Sequence, residues 1–139
     1  MMKTLLFLLG MSLFTVAVGQ TGSDIEKAVI SYSRAGDSQN AAILKSLLHD
    51  NHRLVWHDGT KAPFVLDKAG YISKIESKEW GGDNRKVTIE AVESFDGVNA
   101  TVKAILDGNK AQMRSMFSLI KVDGEWKIIE ELVNATFKG

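Results

Sequence analysis

The chain has 139 residues, 45% of them hydrophobic and 24% charged, the proportions of an ordinary globular protein. Lys+Arg and Asp+Glu both number 17, and no dense basic run appears, which argues against nucleic-acid binding. Cysteine is absent, which removes disulfides, thiolate zinc sites, a cysteine nucleophile and lipid attachment at an N-terminal cysteine.

The chain opens as a secretory signal peptide does. Lys3 supplies the positive charge, residues 5–18 are almost unbroken apolar, and Ala17 and Gly19 are the small residues before a cut after Gly19. The run is shorter than the roughly 20 apolar residues of a membrane-spanning helix. The expectation is export, periplasmic or fully secreted, with no stable membrane insertion after cleavage. Residues 1–19 are then the leader, and 20–139 form one domain of typical size.

Helical patterning comes first. Ser23-Asp24-Ile25-Glu26 reads as a capping box. Ile25, Ala28, Val29 and Tyr32 follow at helical spacing, and Gly36-Asp37 ends the helix. Ser38 can cap a second helix, with Ile43, Leu44, Leu47 and Leu48 as its stripe. A short strand at 53–57 closes on Asp58-Gly59, and the single proline, Pro63, lies in the following loop. Asp67 caps a third helix with Ala69, Ile72 and Ile75 on one face, stopped at Trp80-Gly81-Gly82.

From residue 85 the period changes to two. Asp96-Gly97, Asp107-Gly108 and Asp123-Gly124 mark tight hairpin turns, because both turn residues must take positive φ. They divide the segment into strands at 86–95, 98–106, 110–122 and 125–137, an antiparallel meander. The fold class is α+β, with three N-terminal helices packed on a strongly curved antiparallel sheet. Uniform alternation puts Met113, Phe117 and Leu119 opposite Met116, Ile120 and Val122. It puts Trp126, Ile128, Glu130 and Leu132 opposite Ile129 and Val133. Both faces are partly apolar, so a homodimer through the sheet is expected.

This element order resembles the nuclear-transport-factor-2-like superfamily, a cystatin-like cone. Residues 117–128 (Phe-Ser-Leu-Ile-Lys-Val-Asp-Gly-Glu-Trp-Lys-Ile) look like its terminal hairpin. Gly36-Asp37 followed by Leu44, Leu47, Leu48 and His49 resembles one branch, the lumazine-binding-like and SnoaL-like exported bacterial proteins. That branch often carries a basic residue after Trp-Lys-Ile, where this chain has Glu130-Glu131. The resemblance implies a pocket between helices and concave sheet, and a superfamily with both enzymes and binding domains.

Isomerase-type members carry a carboxylate base near the end of the short strand, where His57 and Asp58 stand in this chain. They place a tyrosine on the first helix, which makes Tyr32 the matching oxyanion donor. Glu130 can serve as a second acid beside them, held protonated by an apolar setting, or simply stand at the rim beside a Lys or Arg. Asp58-Gly59 is equally an ordinary turn pair, and Tyr32 an ordinary core tyrosine. Trp56, Phe64, Tyr71, Trp80, Met113 and Trp126 are candidates to line the pocket, or simply core.

His49, His52 and His57 cluster in sequence, but a chain break at Asp50-Asn51 and opposed strand faces argue against a metal site. No phosphate loop or nucleophile elbow is present, and no cofactor is expected. The leading expectation is an exported domain binding a small apolar molecule. A cofactor-independent isomerase, cyclase or dehydratase, and a protein-interaction domain using the exposed sheet, stand as alternatives.

Overall fold

A computed structural model describes the backbone from Leu9 to Gly139 and the side chains from Gly22. Lys3 and the start of the expected leader lie outside the described residues. Helix α1 (Leu9–Asp37) is followed by α2 (Ala41–Leu47), β1 (Leu48–Trp56), β2 (Phe64–Asp67) and α3 (Lys68–Glu76). Strands β3 (Lys86–Phe95), β4 (Asn99–Asp107), β5 (Ala111–Val122) and β6 (Glu125–Phe137) complete the chain. Among the described residues, no helix is long and apolar enough to cross a membrane.

All strands join one six-stranded sheet in the order β2-β1-β6-β5-β4-β3. β3 to β6 form the expected antiparallel meander. The sheet as a whole is mixed, because β1 runs parallel to β6. Asp96 and Gly97 both take positive φ, as do Asp123 and Gly124, the requirement of a two-residue hairpin turn. Asp107-Gly108 departs from this pattern. Gly108 takes no positive φ, and the Asp83 carboxylate accepts the Lys110 and Ala111 N–H groups at 2.7 and 3.2 Å, holding a wider turn.

The helical half differs from expectation at its edges. α1 runs through Ser23, so the Ser23–Glu26 box does not start it. The apolar residues ahead of Ser23 have no helix-breaking proline among them. Asn40, not Ser38, caps α2, its side chain accepting the Ile43 N–H at 3.2 Å. The Ser38 hydroxyl instead donates to the Arg34 carbonyl at the end of α1. Asp67 caps α3 as expected, accepting the Gly70 N–H at 2.8 Å. Tyr71 joins Ile72 and Ile75 on the buried face of α3, and Ala69 is exposed. β2 pairs antiparallel with β1 and had no sequence counterpart.

The core lies between the helices and one sheet face. Ile25, Val29 and Tyr32 of α1 meet Val102, Leu106, Phe117, Leu119 and Ile128. Each aliphatic side chain so buried contributes roughly 1.5–3 kcal/mol. Gly81 fixes the start of the meander. Its φ is +93°, and a Cβ there would collide with the Gly36 carbonyl at the end of α1. The Gly82 N–H donates to that same carbonyl, and the Gln39 amide to the Trp80 carbonyl. These contacts hold Trp80 against the helices.

β1 loses register between Leu48 and Arg53. The irregularity coincides with Asp50-Asn51. His52 is buried on the side of Leu48 and Leu54, while His57 stays outside. Among the described residues, neither His52 ring nitrogen has a partner. Burial first, then the Lys68 charge, push its imidazole from 6.5 down to about 4. The unfolded chain therefore takes up a proton at higher pH than the folded one. This contribution to stability is full above pH 6.5 and is lost as pH falls toward 4. His52→Leu is expected to gain ~2 kcal/mol relative to the parent on going from about pH 7.5 to about pH 5, by urea denaturation. The same difference at both pH values would show that His52 does not titrate in this way.

Candidate functional site

A cavity of about 200 Å³ opens between α1, α3 and the inner ends of β1, β5 and β6. Its floor is polar and its mouth is aromatic. The floor depends on an irregularity in β6. Leu119 pairs with Ile128, but Ser118 pairs with Glu130, so Ile129 is an extra residue. Beyond it the alternation inverts. Glu131 and Val133 face inward, and Glu130 and Leu132 face out. Glu130 was expected on the Trp126 and Ile128 face. The bulge gives that place to Glu131, which is 1% exposed.

Two hydroxyls hold the Glu131 carboxyl. Tyr32, from α1, donates to Oε2 at 2.5 Å, and Ser115, from β5, donates to Oε1 at 2.9 Å. Burial raises the Glu131 pKa, and the Tyr32 and Ser115 hydrogen bonds and the Arg85 charge reverse this only in part. Burial, then the Glu131 charge, raise Tyr32 well above the ordinary phenol value. The same causes push Tyr71 up to about 12. Both tyrosines are therefore neutral hydrogen-bond donors at physiological pH.

Arg85 lines the cavity beside them. Its Nε donates to Asp37 Oδ1 at 2.8 Å, its Nη2 to the Ser33 carbonyl at 3.0 Å, and its backbone N–H to Asp37 Oδ2. The pair is nearly buried, with 7% and 17% side-chain exposure. Burial opposes the Arg85 charge, and Asp37 more than offsets it, so the guanidinium stays charged.

Trp56, Trp80 and Phe137 ring the mouth. Trp56 stacks on Phe137 with centroids 5.7 Å apart and planes 14° apart. Trp80 sits 6.2 Å from Trp56 and 6.0 Å from Tyr71. Phe64 touches Trp80 edge-on at 6.3 Å but does not line the cavity. Phe137 is 69% exposed, a large apolar ring held at an opening.

Of the sequence-derived residues, Tyr32, Trp56, Tyr71, Trp80 and Met113 come together around this cavity. Trp126 is buried elsewhere, with Lys121 Nζ 5.8 Å from its ring centroid. His57 and Asp58 are exposed and do not line the cavity. Asp58 accepts the Thr60 N–H and hydroxyl at 2.9 and 2.7 Å, a turn contact that keeps its carboxyl below the usual range. His57 borders a groove on the outer sheet face with Met116 and Leu132. Strand β1 ends at Trp56, so the chain has left the cavity wall before either proposed base. Glu131, Ser115, Arg85 and Phe137 were missed by sequence reasoning.

Residues 20–138 match the model of a family described as Putative lumazine-binding. The chain belongs to that family. Its fold is similar to a nuclear-transport-factor-2-like protein of unknown function from Shewanella baltica. That pair has 16% identity, covers 84% of this chain and 94% of that one, and has a TM-score of 0.74. A similar protein of unknown function from Silicibacter pomeroyi has 14% identity, 86% and 98% coverage and a TM-score of 0.74. A ketosteroid isomerase-like protein from Erwinia carotovora atroseptica has 19% identity, 82% and 95% coverage and a TM-score of 0.66. At these identities the likeness is one of fold alone. No curated protein matches the chain.

The Glu131 carboxyl binds its proton more tightly in the folded chain than the ordinary 4.5. Its contribution to stability is thus full below pH 4.5 and is lost as pH rises through the raised folded value. Glu131→Gln, which cannot titrate, should gain stability relative to the parent between pH 4 and neutrality in ~one-unit steps of a denaturation series. Tyr32→Phe should cost ~1–3 kcal/mol at neutral pH by removing a donor from a buried carboxyl.

Proposed function

We propose that this protein is an exported carrier or accessory domain that binds a small, flat, largely apolar molecule in the cavity. One observation carries the reading: an aromatic mouth of Trp56, Trp80 and Phe137 leads to a buried polar floor at Glu131. Aromatic walls favour a planar ring system, and a few fixed polar groups below them set its orientation. The family's description makes lumazine, a fused two-ring heterocycle, the natural first probe. The isomerase scheme draws no support from His57 and Asp58, which stand away from Tyr32.

Export rests on Lys3, the apolar run and the small residues before Gln20. Pairing of two copies rests on the outer sheet face, where Met116 is 56% and Leu132 42% exposed. Glu90, Lys103 and Arg114 border the same groove, so both charge signs are available for a self-complementary contact.

Binding can be read from tryptophan fluorescence, since two of the three tryptophans stand at the mouth and Trp126 gives a constant background. Titration of lumazine should give saturable quenching, and Trp80→Ala should weaken it about tenfold, roughly 1.4 kcal/mol. A panel of flat heterocycles with no saturable quenching would sink the proposal. Light scattering of the mature chain should give twice its monomer mass, and Met116→Arg with Leu132→Arg should halve it. N-terminal sequencing after expression with the native leader should begin at Gln20.

A further inference from the structure

The cavity floor holds more hydrogen-bonding capacity than the protein uses. Among the described residues Glu131 has no ion-pair partner, and each of its oxygens accepts one hydroxyl. A carboxylate offers about four acceptor positions, so roughly two remain. Arg85 offers five N–H donors in a fixed fork. One goes to Asp37 and one to the Ser33 carbonyl, while Nη1 meets only the Met113 sulfur at 3.7 Å. A thioether is a weak acceptor, so Nη1 keeps donating capacity beside the cavity. Both groups line the same small space, and the charge of Arg85 is felt at Glu131.

The balance of charge narrows what fits there. Of the other charged residues lining the cavity, Glu79 and Lys110 are exposed at its edge and opposite in sign, and Asp83 accepts backbone N–H groups. At the floor Asp37 already neutralises Arg85, and Glu131 lines the same space, so an anionic ligand gains little there and meets a carboxyl. A cationic ligand meets the Arg85 guanidinium. A neutral edge with a donor next to an acceptor satisfies both residues at once. A ring N–H beside a ring carbonyl has that pattern, as in a lactam, a cyclic urea or an imide.

We propose that Glu131 and Arg85 together read the N–H/C=O edge of a neutral planar heterocycle, Glu131 accepting from the N–H and Arg85 Nη1 donating to the carbonyl. This rests on the binding function proposed above and adds the residues that set its specificity. Bare aromatic stacking accepts any flat ring. An edge read by buried polar groups rejects a ring that lacks the N–H, because those groups are then desolvated without partners.

The test compares lumazine with its dimethyl derivative, in which both ring N–H groups are methylated, on the full mature chain. Fluorescence quenching should give lumazine the tighter binding by about tenfold or more. Glu131→Leu removes the acceptor while filling similar volume, and should bring the ratio of the two affinities to about one. Glu131→Gln keeps an acceptor oxygen and should preserve the preference for lumazine. Urea denaturation of each variant checks that the fold is retained.

If the parent protein binds both compounds equally, or if Glu131→Leu keeps the full preference, the edge reading is overturned and the pocket reading stands. If the dimethyl compound binds and lumazine does not, the edge reading is likewise overturned. If neither compound nor any flat heterocycle binds, both readings fail together.

Discussion

One extra residue in β6 decides what the cavity contains. A strand with unbroken alternation would carry Glu130 inward and leave Val133 outside. Ile129 interrupts the ladder, and everything after it changes sides. The chain can tolerate this because the new inward residue finds two hydroxyls waiting, Tyr32 from a helix and Ser115 from the neighbouring strand. Without them the buried carboxyl would be left unsatisfied, a cost of about 1–3 kcal/mol or more. The bulge, Tyr32 and Ser115 therefore form one unit, and each makes sense only with the others.

Around that unit the protein sorts its charges by depth. Arg85 is compensated by Asp37 at the end of α1, which ties the first helix to the start of β3. Asp83, two residues earlier, spends its carboxylate on backbone N–H groups of the turn before β5. Both acids serve the scaffold. Among the described residues Glu131 has no ion-pair partner, and its carboxyl lies at the buried floor of the cavity. Its raised proton affinity and the neutral tyrosines beside it follow from the same burial that keeps water out.

The sequence made the meander plain because its turns are chemically marked. Asp-Gly pairs with positive φ separate runs of period two, and the strand boundaries follow within a residue or so. β2 was invisible for the opposite reason. It has four residues, follows Pro63, and leaves Phe64 and Val65 half exposed, so no alternation marks it. The turn at Asp107-Gly108 has the same residue pair as the other two, and its partners Asp83 and Lys138 are distant in sequence. A fixed period of two carried through Ile129 puts Glu131 on the outer face, and the bulge there reverses it. The signal was present in the doubled pattern Ile128-Ile129-Glu130-Glu131-Leu132-Val133, which fits no single alternation. Pairs of apolar and then polar residues in a strand are what an inserted residue produces.

Phe137 and Lys138, beyond the bulge in β6, shape the opening of the cavity. Lys138 donates from its backbone to the Lys110 carbonyl and from its side chain to Asp107 and the Gly108 carbonyl. This clamp sets Phe137, the residue before it, against Trp56 at the rim. Any residue that follows Gly139 emerges beside the threshold of the cavity, so a segment joined there shares the space through which a ligand must pass.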